Sequence, residues 1–497
     1  MSDKWSAQQT AAVSDVVTRR VTARVGIFFD GTGNNRVNSQ IGADCQALFE
    51  INGGQHINEC AGRHVHPGSS YSNDPSNIAR LVDIYRLQPV AENDGEGLKV
   101  YYSIYVSGAG TTSGGRDSVW PGQSFGRGTT GVVSKVENAF RKLESVLKGF
   151  PRDNPDCVLE ALELDVFGFS RGAASARHLA NEILKQGAGM LEPILQSRKV
   201  RLSEHFNWRN GSVRLKVIGL FDTVAAIGSF KDMGNTRDAS NRRVNLYLPP
   251  GCAQQVLHLV ARDESRRNFA LNSVLPVWPR EIVLPGAHSD IGGGYPPQME
   301  ENVLLTRPQS SLVNRDSPCD TAASWKEAEA QLLEMNRSHW IDPLDNRAFL
   351  RVQACESKCY PCRKTFTGLN GMRTIVAAVG MHRQVFGHLS RVSLQVMHAL
   401  ACDEGVPFEP LPNSPEFQLP PELENIAARL IDYARGGPYL LDSQDEQLLR
   451  WRYIHQSAHW NAVVGRVGTF SDAVFVHAPQ PGGRVLHPNV GQPGYPQ

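Results

Sequence analysis

Residues 165–175 read DVFGFSRGAAS: an apolar run, then Gly168-Phe169-Ser170-Arg171-Gly172, then small residues. The reading of Ser170 decides the fold. A GxSxG match is weak by itself in a chain with 45 glycines, because short motifs recur by chance. A second match, Gly122-Gln123-Ser124-Phe125-Gly126, lies within SVWPGQSFGRGTTG. Context separates the two. A nucleophile elbow needs a strand before the serine and a helix after it, so that a tight turn lifts Oγ above the sheet. Ser170 follows the strand-like Leu164 to Phe167 and precedes a helical pattern from Ala173 to Leu184. Gly168, Gly172 and Ala173 permit the close strand–helix approach. Ser124 follows a proline and glycines and reads as a loop serine.

Outward from Ser170, the first 300 positions repeat one pattern. ARVGIFFDGTGNN, LKVYYSIYVSGAGT, LEALELDVFGFS, RLKVIGLFDTV and PREIVLPGAHSD each run from apolar residues into turn residues. Strands that are apolar nearly throughout fit a parallel sheet buried on both faces. Between them, VVSKVENAFRKLESVLKGF sets Val133, Val136, Phe140, Leu143 and Val146 on one helical face. The expected fold is α/β, an α/β-hydrolase-like, mainly parallel sheet flanked by helices, with function at the carboxyl ends of the strands.

Beyond residue 300 the character changes. Segments 301–322 and 342–371 are polar and poorly periodic, while helical patterns return at 324–338, 388–403, 421–435 and 444–452. The stripe Leu389, Val392, Val396 and Leu400 reads as core packing. The division is an N-terminal helical extension (1–24), a catalytic core (25–300), and a loop-rich insertion (301–371) as lid or membrane-docking region. A helical C-terminal part (372–478) packs on the core, and a Pro/Gly-rich flexible tail (479–497) follows.

Lys and Arg number 51 against 50 Asp and Glu, so no global field favours nucleic acid or anionic lipid. No stretch approaches 18 uninterrupted apolar residues, and MSDKWSAQQTAAVSDVVTRR lacks a signal-peptide apolar region. A cytoplasmic product that does not follow ordinary export is expected. The cysteines Cys319, Cys355, Cys359 and Cys362 leave open a structural metal, free thiols or a disulfide. Cys45 and Cys60 with His56, His64 and His66 form a second loose cluster.

A serine nucleophile needs an imidazole to take its proton and a carboxylate to fix the imidazole's tautomer. Asp222 in KVIGLFDTVAAIG and His288 in LPGAHSDIGGGY both follow strands, in the order Ser, Asp, His of α/β-hydrolases. Asp263 and Glu264 in VARDESRRNF compete for the acid but look helical. His455 and His459 in YIHQSAHW compete for the base, with Trp460 beside them. Asp290 reads as a loop-ordering carboxylate, and Asp290, His455 and Asp30 as possible supports of the site. FFDGTGNN offers the second oxyanion donor near Gly31 or Thr32, beside the Arg171 amide. Asp30 orders this loop or binds a cation with Asn34. The serine mechanism requires no cofactor.

FFDGTGNN, GFSRGAASAR, GLFDTV, DESRRNF and GAHSDIGGGY, in that order, resemble the type VI secretion lipase effectors of family 1. SRVSLQVMHALACDEGVPF and YIHQSAHW extend the resemblance to roughly Arg24 through His459. It implies an antibacterial phospholipase loaded from the producer's cytoplasm onto a spike component and delivered to a target periplasm, with a cognate immunity protein. The family's triad maps onto Ser170, Asp222 and His288. A soluble carboxylesterase or thioesterase with the same triad, and a non-catalytic binding module on a hydrolase fold, are the alternatives.

Overall fold

The computed structural model describes residues 18–49, 70–111, 113, 131–225, 244–356, 371–461 and 475–491. Its strands are β1 (Arg19–Phe29), β2 (Gln88–Asn93), β3 (Leu98–Val106), β4 (Cys157–Phe169), β5 (Val213–Phe221), β6 (Gln255–Ala261), β7 (Leu271–Asn272), β8 (Glu281–Leu284), β9 (Met299–Leu304), β10 (Gln309–Asn314), β11 (Phe349–Glu356), β12 (Met372–Val385) and β13 (Leu486–His487). A seven-stranded sheet runs β2-β3-β1-β4-β5-β6-β8. Only the β2–β3 pairing in it is antiparallel. The chain is thus an α/β protein with a mainly parallel central sheet flanked by helices. β4, which leads to Ser170, is its middle strand.

Each face of this sheet carries its own apolar layer. Val21, Ala23, Val25, Ile27 and Phe29 alternate along β1 toward the helices Val132–Asp153 and Arg171–Leu184. Phe28, Phe167, Val217 and Phe221 point the other way, toward the helices Leu389–Asp403 and Pro421–Ala434. Period-two alternation along the strands produces the division. Leu389, Val392, Val396 and Leu400 are all buried in the second layer, so that helix covers the sheet.

Three expectations need correction. Residues Arg19 to Arg24 are the start of β1, paired with β4 from Cys157 onward, rather than the end of a helical extension. Over its described residues, 301–356 and 371, the insertion is not mainly loop. β9, β10 and β11 pair antiparallel with β12, and the helix Ala323–Arg337 packs Ala328 against Ala377 and Val379. Such strands bury one face, so their sequences read as polar and irregular. The tail is hydrogen-bonded to the core over residues 479–491. Its backbone bonds to 265–275: Gln480 N to Ser265 O (2.8 Å), Leu271 N to Val485 O (2.9 Å) and Ser273 N to His487 O (2.9 Å). Its glycines make turns, Gly482 and Gly483 both at positive φ.

A buried ion pair joins the two central strands. Arg24 on β1 donates to both Asp165 oxygens on β4, at 2.8 and 3.1 Å, and Tyr85 Oη donates to the same carboxylate at 2.8 Å. Removing one partner strands the other charge without water. Asp165→Ala is expected to lose about 3–5 kcal/mol of stability in denaturant unfolding. Arg20→Ala, which breaks the exposed Arg20–Glu160 pair, is expected to lose less than about 1 kcal/mol. Equal losses would contradict this account.

Candidate active site

Ser170 sits between β4 and the helix Arg171–Leu184 at φ 56° and ψ −121°. This strained backbone, at a tight strand-to-helix turn, has the form that a nucleophile elbow requires. It exists because strand and helix nearly touch. A Cβ on Gly172 would lie 2.2 Å from Phe29 O and 2.4 Å from Asp30 O, and one on Gly168 would lie 2.5 Å from Gly172 O. The Ser170 hydroxyl makes no capping bond to its helix, which leaves it for other chemistry. Ser170 N donates to Phe221 O at 3.0 Å and Val224 N to Ser170 O at 3.4 Å. Those two bonds straddle Asp222.

Asp222 follows β5 at φ 41° and is wholly buried. Its Oδ2 lies 2.5 Å from His288 Nδ1. Burial alone would raise this carboxyl, but Arg484 and His288 overcome it and hold the group far below the usual range. An ionised carboxylate only accepts, so Nδ1 carries the proton and Nε2 of the neutral ring is the acceptor. Burial pushes His288 below the ordinary histidine value, against the opposing pull of Asp222. The ring lies between Phe169 (centroids 4.7 Å apart) and Phe269 (4.9 Å). Phe169 directly precedes Ser170, so the imidazole stands beside the elbow.

The competing residues are engaged with other partners. Glu264 is not helical. Arg266 binds it through Nε and Nη2 at 3.0 and 2.7 Å, and it accepts from the His288 backbone at 3.3 Å. Burial raises Glu264, but Arg266 dominates and holds it at about 2. Asp263 accepts from Gly286 N at 2.7 Å. His455 Nδ1 donates to Asp290 at 2.6 Å, and its ring stacks on Tyr295. Asp290 also accepts from Ala287 N at 2.9 Å, so the pair fixes the turn that carries His288. The His459 ring lies tilted against that of His477, centroids 4.7 Å apart. A cavity of about 450 Å³ has Arg262, Trp340, Arg450 and His455 among its walls, but neither Ser170 nor His288.

The FFDGTGNN turn differs in one respect from the expectation. The Gly31 amide donates to Asp30 Oδ1 at 2.7 Å, which removes it as an oxyanion donor. Asp30 also accepts from Ser76 and Tyr105, both at 2.6 Å. It therefore orders the turn, its carboxyl raised by burial against those donors. Thr32 keeps its amide outside these bonds, and Arg171 opens the helix, where first-turn amides face outward. Among the described residues no group of three metal-ligating side chains occurs. Cys359, Cys362, Cys60, His56, His64, His66 and Ser124 lie outside the described residues, as does the Cys45 side chain.

Two supports were not legible in sequence. His258 accepts from Thr223 N at 3.1 Å and bonds Glu281 at 2.9 Å, which braces the residue after Asp222. Arg484, 262 positions from Asp222, binds both its oxygens at 2.7 and 2.8 Å. No local signal marks an arginine in a Gly-Gly-Arg turn as part of a distant site.

Residues 196–314 match a family described as "T6SS, Phospholipase effector Tle1-like, catalytic domain". The structure titled "Structure of the Tle1 effector bound to the VgrG spike from the Type 6 secretion system" is similar at 28% identity, covering 95% of this chain and 94% of that one, with a TM-score of 0.69. Residues 196–314 thus resemble the catalytic domain of Tle1-like type VI secretion phospholipase effectors, and the fold as a whole resembles that of the Tle1 effector. A crystal structure of an uncharacterized protein from Pseudomonas aeruginosa matches at 18% identity over 87% of this chain and 52% of that one, TM-score 0.33. Among curated proteins none matches. The match to the Tle1-like family spans Asp222 and His288 and begins after Ser170.

The close approach at Gly172 makes a direct prediction. Gly172→Ala places a methyl against two carbonyl oxygens and is expected to destabilise the fold by about 1–3 kcal/mol while removing most hydrolysis. A fully active, equally stable variant would show that the close approach is dispensable.

Proposed function

We propose that this chain hydrolyses ester bonds of membrane glycerophospholipids through Ser170, His288 and Asp222. The observation that carries the reading is the His288–Asp222 bond to an ionised carboxylate, beside a serine on a strained elbow. Neutral His288 Nε2 takes the Ser170 proton as Oγ attacks the ester carbonyl, and returns it to the leaving alkoxide. Asp222 stabilises the imidazolium formed between those steps. The amides of Arg171 and Thr32 hold the oxyanion. Water then repeats the sequence on the acyl-enzyme.

The likeness to an effector solved on the VgrG spike supports loading of this chain onto a spike component. Delivery to a target periplasm and neutralisation in the producer by an immunity protein complete the proposal. No helix among the described residues is long and apolar enough to cross a membrane. Docking on lipid then falls to surface apolar groups. The 301–371 region exposes Leu312, Leu333 and Leu344, the last 91% exposed, and we assign it the membrane-facing role.

Product analysis on defined phospholipids tests the reaction. Ser170→Ala, Asp222→Asn and His288→Ala are each expected to lose about 10³-fold or more in kcat, with double variants little worse than the worst single. EDTA is expected to leave turnover unchanged. A fully active Ser170→Ala would refute the mechanism, and loss in Ser124→Ala instead would move the nucleophile. Hydrolysis confined to short soluble esters would indicate an esterase.

Docking is tested separately. Apolar contact is insensitive to charge screening, so liposome binding is expected to change little between low and high salt. Leu344→Asp is expected to reduce hydrolysis of bilayers more than hydrolysis of soluble esters. Equal reduction on both substrates would make the region structural support.

A further inference from the structure

We infer that Arg484 is a positioning residue of the catalytic centre: carried in by the C-terminal segment, its guanidinium orients Asp222 for His288 and neutralises part of the carboxylate's charge. The inference rests on the triad reading above. The geometry has three parts. First, the contact is a paired fork, Nη1 on Oδ1 at 2.7 Å and Nη2 on Oδ2 at 2.8 Å, which fixes the carboxylate plane. Second, Nε donates to Phe269 O at 2.7 Å, which fixes the guanidinium itself. Third, the segment around it is held in register. Arg267 N donates to Ala478 O and Asn489 N to Leu275 O, and the buried Arg177 donates to Asn489 Oδ1 at 3.0 Å. The Arg484 side chain is 8% exposed and Asp222 0%, so little solvent screens the pair.

Each carboxylate oxygen has two donors. Oδ1 receives Arg484 and Ala261 N (3.0 Å), and Oδ2 receives Arg484 and His288. Without Arg484 each oxygen would keep one donor, Ala261 N on Oδ1 and His288 on Oδ2, and the carboxylate plane would be less firmly held. The carboxylate's whole charge would also be left to stabilise the imidazolium, raising His288 and trapping it protonated at mildly acidic pH. The guanidinium opposes both. The other charges near the pair have partners of their own: Arg266 is bound to Glu264, His258 to Glu281, and Asp290 to His455. Arg484 is therefore the cation bonded to Asp222, while Arg266, bonded to Glu264, also acts on Asp222 and lowers His288.

The test is the pH profile of kcat/KM on a soluble ester, with the full chain. Arg484→Gln is expected to lower kcat by about 10–100-fold and to move the acid limb upward by about one pH unit. Arg484→Lys keeps the charge without the fork, so its acid limb is expected to stay in place while kcat falls and KM does not change. A purely structural role predicts losses with no movement of the limb in Arg484→Gln, and that result overturns the inference. Circular dichroism and the unfolding midpoint establish that the variants fold. If Arg484→Gln does not fold, Arg484→Lys decides: wild-type kcat overturns the inference, and a kcat loss at constant KM supports it. Ser170→Ala separates the two claims. Retained hydrolysis there sinks the triad and this role together, whereas an inactive Ser170→Ala with an unmoved Arg484→Gln limb sinks only the role of Arg484.

Discussion

Asp222 places a full negative charge at the carboxyl edge of the sheet with no contact to water. A buried charge of this kind is tolerable only when paired and hydrogen-bonded. The molecule meets that demand from three directions: the Ala261 amide in the sheet, His288 from beyond β8, and Arg484 from the far end of the chain. Segments more than 60 and more than 250 residues away in sequence must therefore converge on one side chain. Much of the connectivity around the site serves that convergence.

The same economy recurs nearby. His258 with Glu281 and His455 with Asp290 are buried imidazole–carboxylate pairs like His288 with Asp222. Chemistry does not follow from the pair alone. His258 is engaged at both ring nitrogens, to Thr223 and to Glu281. His455 is pressed against Tyr295 and fixes a turn. His288 alone of the three stands beside the Ser170 elbow. The two other pairs act as braces, one behind the acid and one beneath the base.

What the sequence revealed followed from how local each signal was. The apolar runs into β1, β4 and β5 mark buried parallel strands because both faces are covered, and Gly168 and Gly172 mark a close crossing because no larger residue fits. The strand ends then bring Ser170, Asp222 and His288 to one edge. β10 and β11 were invisible because a one-sided strand has no continuous apolar run. Gly482 and Gly483 looked like mobility, yet they make turns in a segment held by residues 265–275. Gly31 and Thr32 were indistinguishable in sequence, and only the bond from Gly31 to Asp30 separates them. Composition cannot report a partner two hundred residues away.

The long reach of Arg484 also sets an order of assembly in time. Ribosomes add roughly 5–20 residues each second, so the 262 positions between Asp222 and Arg484 take roughly 13–50 s to synthesise. During that interval the nascent chain already contains the serine and the acid, but the acid lacks its guanidinium. The helices Leu389–Asp403 and Pro421–Ala434, which cover the second face of the sheet, also emerge late. Sheet packing that depends on such distant segments folds slowly. The sheet edge around Asp222 is thus among the last parts of the molecule to become whole, and an incomplete chain carries the elbow without the clamp.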